Sequence, residues 1–103
     1  MQTESESILT ETQIKTARYA KALSHPVRLF ILDYLIKNAG KCCYSGDMAE
    51  LLPIARSTLS QHLSELKDAG LIQGETKAPF IKYCINQQNW EEARQLFSKF
   101  MAI

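Results

Sequence analysis

Ser57-Thr58-Leu59-Ser60-Gln61-His62-Leu63-Ser64-Glu65-Leu66-Lys67-Asp68-Ala69-Gly70-Leu71 is the stretch that decides the reading of this chain. Leu59, Leu63 and Leu66 recur at i, i+4 and i+7, which lays one apolar stripe along a helix. Ser57, Thr58, Ser60 and Gln61 then face the other way. A merely solvated outer face usually carries Lys and Glu. Hydroxyls and an amide instead suit hydrogen bonding to base edges and phosphates. Gly70 supplies the left-handed residue that stops the helix.

Working outward, Asp47 to Leu52 form a short amphipathic helix with Ser45 as its expected N-cap and Asp47 in the first turn. Pro53 ends it, and Pro53 to Arg56 link the two helices across a tight turn, the spacing of a helix-turn-helix whose second helix reads DNA. Downstream the period changes to two. Leu71 and Ile72 lead into a strand, Gly74 to Pro79 read as a polar turn region, and an inward Ile81, Tyr83 and Ile85 alternate with Phe80, Lys82 and Cys84. The hairpin carries Lys77 near its tip, where a base can meet a phosphate backbone. The expected fold is therefore mainly α with a small β-hairpin: a winged helix-turn-helix of about five helices plus the wing.

The chain has 103 residues, 46% of them hydrophobic, enough for one globular core. Residues 1–10 are expected to be a flexible acidic segment, and 11–103 a single domain. No run is long enough to span a bilayer, and the acidic start resembles neither a signal nor a transit peptide, so a cytoplasmic protein without a membrane partner is expected. Three cysteines, two of them adjacent at Cys42 and Cys43, suit a reducing compartment. The net charge of +1 hides an uneven distribution, with Lys15, Arg18, Lys21, Arg28, Lys37 and Lys41 facing only Asp33 and Asp47 between residues 12 and 49. So small an excess predicts that affinity for double-stranded DNA needs a homodimer.

A first helix is expected from Glu11 to Leu23. Ser24 is expected to cap a second, with Pro26 in its first turn and Val27, Ile31, Tyr34 and Leu35 inward up to Gly40. Asn89 and Glu92 have capping-box spacing at the start of a last helix, whose apolar face includes Trp90, Ala93, Leu96, Phe97, Phe100 and Met101. Lying beyond a core that the wing completes, this face wants a partner. A two-fold homodimer through Ile14, Ala17, Trp90, Ala93, Phe97 and Phe100 satisfies it and places two reading helices about one DNA turn apart.

Leu23-Ser24-His25-Pro26-Val27-Arg28-Leu29-Phe30-Ile31-Leu32 resembles the second-helix signature of the ArsR/SmtB family of bacterial metal- and stress-responsive repressors, and Ser57 to Leu71 resembles its recognition helix. The likeness runs from about residue 14 to residue 100. It implies a winged-helix homodimer, paired through its first and last helices, that represses an operon until an inducer releases it. It also implies Ser57, Thr58, Ser60, Gln61 and His62 as DNA-reading residues and Lys77 as the wing contact; Arg56, at the head of the same helix, departs from the family's usual neutral polar residue and joins them as a DNA-binding candidate. For His62, packing and DNA contact both stay open. Ala55 stands where the family often has an N-cap, so the reading helix should be poorly capped.

The sensing site is approached by elimination within that family. Residues 86–103 contain no His, which removes a zinc site on the last helix, and no Cys precedes Cys42. Cys42, Cys43 and Cys84 remain. If Lys41 to Tyr44 form a strand against the wing, the three sulfurs can converge, and such a set favours a thiophilic ion such as As(III) or Sb(III) as inducer. The related Cys-x-Cys-Gly-Asp pattern is incomplete, with Ser45 where the second thiol would stand. The alternatives are a redox-switched Cys43–Cys84 disulfide, structural zinc, or simple packing. DNA binding itself requires no cofactor. Catalysis is not expected: there is no Cys-x-x-Cys motif or Gly-rich loop, and His25 and His62 have no nucleophile to serve. A winged helix used purely for protein interaction remains the alternative from a different class.

Overall fold

Thr10 and Gln13 close a reciprocal cap: Thr10 Oγ1 accepts from the Gln13 amide at 3.0 Å, and Gln13 Oε1 accepts from the Thr10 amide at 2.9 Å. From it helix α1 (Glu11–Ala22) runs as expected, burying Tyr19 and Ala22. The computed structural model describes residues 8–77 and 80–103, apart from the side chains of Ala39, Lys77 and Phe80. Most of the expected flexible N-terminal segment lies outside the described residues.

Helix α2 (Pro26–Lys37) buries Ile31, Leu32 and Leu35. Its cap is His25, whose Nδ1 accepts from the Val27 amide at 3.1 Å, and not the expected Ser24. Pro26 fills the first helical position, so the cap must be the residue just before it. Ser24 instead donates to the Lys21 carbonyl and closes α1.

A single 3-10 turn (Ala39–Lys41) leads into strand β1 (Cys42–Tyr44) and helix α3 (Ser45–Leu51), which buries Met48. Ser45 begins α3 rather than capping it; the cap position is Tyr44, which makes no side-chain capping bond. Residues 52–55 then turn the chain into α4 (Arg56–Asp68), whose Leu59, Leu63 and Leu66 are buried as their spacing predicts. Ala55 caps nothing, and Gly70 sits at φ +87°.

Strands β2 (Ile72–Lys77) and β3 (Phe80–Ile85) form the wing, and β1 joins it to give an antiparallel sheet in the order β1-β3-β2. The expected turn from Gly74 to Pro79 is thus mostly strand. Gly74 lies opposite Tyr83, whose ring comes within 3.2 Å of where a Cβ would stand, so this glycine marks a close approach and not a turn. Of the three residues expected inward on β3, Ile85 is buried and Tyr83 packs on the core. Ile81 lies beyond the core's edge, 41% exposed.

The last helix, α5 (Gln87–Met101), is capped by Asn86, whose side chain accepts from the Asn89 amide at 3.1 Å, and not by Asn89. The strand ends at Ile85, so the helix begins one turn earlier than expected. Asn89 is used differently: its amide donates to the Gly70 carbonyl at 2.9 Å and pins α5 to the corner between α4 and β2. Ala93 is buried in the chain's own core, and Glu92 takes an ion pair from Lys15 (2.7 Å) and a hydrogen bond from Tyr19 (2.7 Å). Part of the face expected to await a partner therefore packs on α1 of its own chain. Among the described residues no helix is long and apolar enough to cross a membrane.

Candidate nucleic-acid interface

Because Leu59, Leu63 and Leu66 fix one side of α4 in the core, its opposite side is presented to solvent. Arg56, Ser57, Ser60 and Gln61 are exposed there, while Thr58 is half-buried. The four-residue turn from α3 leaves the first turn of α4 protruding with its amides uncapped, and unpaired N–H groups at a helix start favour phosphate. Between α3, α4 and the wing lies an open depression lined by Tyr44, Asp47, Glu50, Arg56 and Ile81, in which Arg56 faces two carboxylate-bearing residues. Lys77 ends β2 as expected near the hairpin tip, but its contact lies outside the described side chains.

His62 differs from the other reading candidates. It is half-buried, and its Nδ1 lies 3.1 Å from Arg28 Nη1, while the His25 ring packs against it with centroids 4.2 Å apart. Burial, then His25 and Arg28, hold its pKa below the usual histidine range, and Glu65 opposes them. The sequence reading missed Arg28. Its sequence signal was a base in the first turn of α2, three residues after His25.

The cysteines do not converge as expected. Strand register sets Cys42 opposite Cys84 and Cys43 opposite Tyr83, so alternation sends Cys43 to the core side of β1 and its two neighbours to the other. Cys42 and Cys84 are disulfide-bonded, so the disulfide weighed as an alternative forms with Cys42 in place of Cys43. Cys43 is a free thiol beside Tyr34 and Asp47. Burial, with the Asp47 carboxylate, pushes its pKa up and keeps it protonated. Among the described residues no group of three His, Cys, Asp or Glu side chains gathers to hold a metal.

The surface left by α1 and α5 is apolar. Ile14 is 47% exposed, Phe100 71% and Met101 70%, and Ala17 is exposed beside them. Ala17, Ala20, Leu96 and Phe100 line a groove of about 370 Å³ between the two helices. Trp90 and Phe97, half-buried, line a second hollow of about 250 Å³ with Leu23 and Leu71. Of the expected dimer contacts, Ala93 alone is fully used within the chain.

Residues 23–75 match the model of a helix-turn-helix domain. The chain is 35% identical over 74 residues to the HTH-type transcriptional regulator YgaV of Escherichia coli, covering 72% of this chain and 73% of that one. It is 39% identical over 79 residues to the arsenical resistance operon repressor of Bacillus subtilis, covering 77% and 70%. The crystal structure of NolR from Sinorhizobium fredii is similar with a TM-score of 0.69 and 29% identity, covering 98% of this chain and 97% of that one.

Proposed function

The chain belongs to the ArsR family of winged helix-turn-helix transcriptional regulators, and from that premise we propose that it is a cytoplasmic homodimeric repressor whose α4 reads operator DNA. Regulators of this family bind operator DNA, typically as dimers. The observation that carries the reading is the division of α4 into a leucine face locked in the core and an exposed face of Ser57, Ser60 and Gln61. Thr58 borders that face. Arg56 and Lys77 supply phosphate contacts at its two flanks. Two copies joined through Ile14, Ala17, Phe100 and the neighbouring Trp90 and Phe97 present two such faces to successive major grooves.

For release, the thiols offer two chemistries. Reduced Cys42 and Cys84 face each other across β1 and β3, and this pair is where a thiophilic ion such as As(III) or Sb(III) would be held. A relative is named for arsenical resistance. The protonated, core-facing Cys43 supplies no third sulfur, which weakens the metalloid reading. The disulfide between Cys42 and Cys84 fits the second reading, oxidation as the signal, only in part, since it uses Cys42 in place of Cys43. In that step two thiols lose two protons and two electrons to a two-electron oxidant, and one S–S bond forms. Either event acts at the junction of the wing with β1, which leads directly into α3. The wing and the reading pair are thereby coupled.

The test is to saturate reduced protein with a labelled duplex from upstream of its own gene and add arsenite or diamide separately. Release by diamide that dithiothreitol reverses, and that Cys84→Ser abolishes, supports the redox reading. Release by arsenite with the same dependence supports the metalloid. Release by both in Cys84→Ser overturns sensing at this pair.

A further inference from the structure

We propose that Arg28 is a positioning residue for the reading helix: it clamps the C-terminal turn of α1 to α4 through His62, so that the dimer-forming helix and the DNA-reading helix are held by one side chain. The inference rests on α4 being the reading helix.

The geometry is that of a hub. Arg28 Nε donates to the Ala22 carbonyl at 2.7 Å, and Nη2 reaches the Lys21 carbonyl at 3.3 Å and Ser24 Oγ at 3.4 Å. These carbonyls belong to the last turn of α1, where helical partners run out and a cation is favoured by the helix dipole. The remaining arm, Nη1, meets His62 Nδ1 at 3.1 Å, across 34 positions of sequence. A guanidinium can only donate, so His62 Nδ1 must present its lone pair and the ring proton sits on Nε2. His25, packed on the same ring, likewise uses Nδ1 as an acceptor, from the Val27 amide. The His62 imidazole is therefore held neutral.

A proton can reach His62 Nδ1 only by displacing Arg28, so acidification opens the clamp. The groups facing His62 are His25, the cap of α2, Arg28 from α2 and Glu65 from its own helix. Arg18 and Lys21 of α1 lie across a depression from Glu65 and Asp68. Burial, then His25 and Arg28, disfavour the imidazolium, and Glu65 favours it. The expected sign is distinctive. By charge alone, protonating a residue on a DNA-facing helix tightens binding to phosphate. The clamp predicts the reverse, because the protonated state releases α4 from the position that binding needs.

The experiment measures Kd of the full chain for a fluorescently labelled duplex from upstream of its own gene, from about pH 8 down to about pH 5, the acid end lying below the usual histidine range so that His62 gains its proton there. Wild type, Arg28→Gln and His62→Asn are compared. Wild type is expected to bind roughly fivefold or more weakly at the acid pH. In each variant the acid-to-alkaline ratio of Kd is expected to fall to about one, whatever its affinity at the alkaline pH. In parallel, NMR should show His62 titrating below the usual range in wild type and higher in Arg28→Gln. Wild type that binds equally or more tightly in acid, or variants that keep the wild-type ratio, overturn the proposal. If Arg28→Gln does not fold, His62→Asn, which keeps an acceptor near Nδ1 but cannot titrate, decides alone. Wild type that binds no duplex at either pH overturns the DNA-reading function and the proposal with it, an outcome distinct from binding without acid weakening.

Discussion

Gln61 stands fully outside the leucine stripe of α4, and its amide can pair bidentately with an adenine edge. Gln61→Ala should therefore weaken binding to the specific duplex by about 1–3 kcal/mol while relaxing preference at one base position. Its thermal unfolding should match wild type, because the side chain supports nothing in the core. Titration of wild type and variant on specific and scrambled duplexes checks both. Glu92 works in the opposite sense, holding structure without facing DNA. Its bond from Lys15, and then that from Tyr19, hold its carboxyl below the usual range, so the stability it adds is present above the unfolded carboxyl pKa. That stability is lost as pH falls through the lower folded value. Burial and the same Glu92 push Tyr19 up to about 12, so the phenol remains a donor throughout. Thermal melts against pH should show a low-pH limb in wild type that is shallower in Glu92→Gln. Gln61 was legible in the sequence because helical period alone decides which side it faces. Arg28 and Glu92 were not: their partners are backbone carbonyls or side chains on another helix, and no periodicity encodes those.

At the scale of elements, Gly70 joins the reading helix to the wing. Its φ of +87° disfavours any L side chain, and a Cβ there would lie 2.8 Å from Asn89 Nδ2. Gly70→Ala should cost about 1–3 kcal/mol from backbone strain, with the contact added. Asn89→Ala removes the contact but also the bond to the Gly70 carbonyl, so Gly70→Ala should cost less in the Asn89→Ala background than in wild type while the strain persists; chemical denaturation of both single variants and the double variant measures the split. Among the described residues the body of α4 was readable from apolar spacing, and Gly70 from its place after the last leucine. The caps were less so. Pro26 made His25 the cap, yet Ser24 is the commoner capping type. Asn86 and Asn89 stand three residues apart, and only the end of β3 decides between them. The wing's turn was misplaced because Gly74 near a polar run reads as a turn, while its actual role depends on Tyr83 in the facing strand. The cysteine pairing required the same information. A shift of one residue in β1 register exchanges Cys42 for Cys43, and sequence alone does not set that register.

Across the whole molecule, Ile14 on α1 and Phe100 and Met101 on α5 are large apolar side chains that a single chain leaves uncovered. Phe100→Glu should convert a dimer to monomers in sedimentation velocity. DNA affinity should then fall by more than Gln61→Ala causes, because each half-site would have to be bound without the other. The central claim is that α4 delivers sequence-specific binding of such a dimer to duplex DNA. The most direct measurement is fluorescence anisotropy of the reduced protein on its own upstream duplex and on a scrambled duplex of equal length and composition, over a salt series. The account predicts saturation at two chains per site, affinity for the upstream duplex at least about a thousandfold above the scrambled one, and weakening with salt on both. Equal affinity for the two duplexes, or no saturable binding to either, would contradict it.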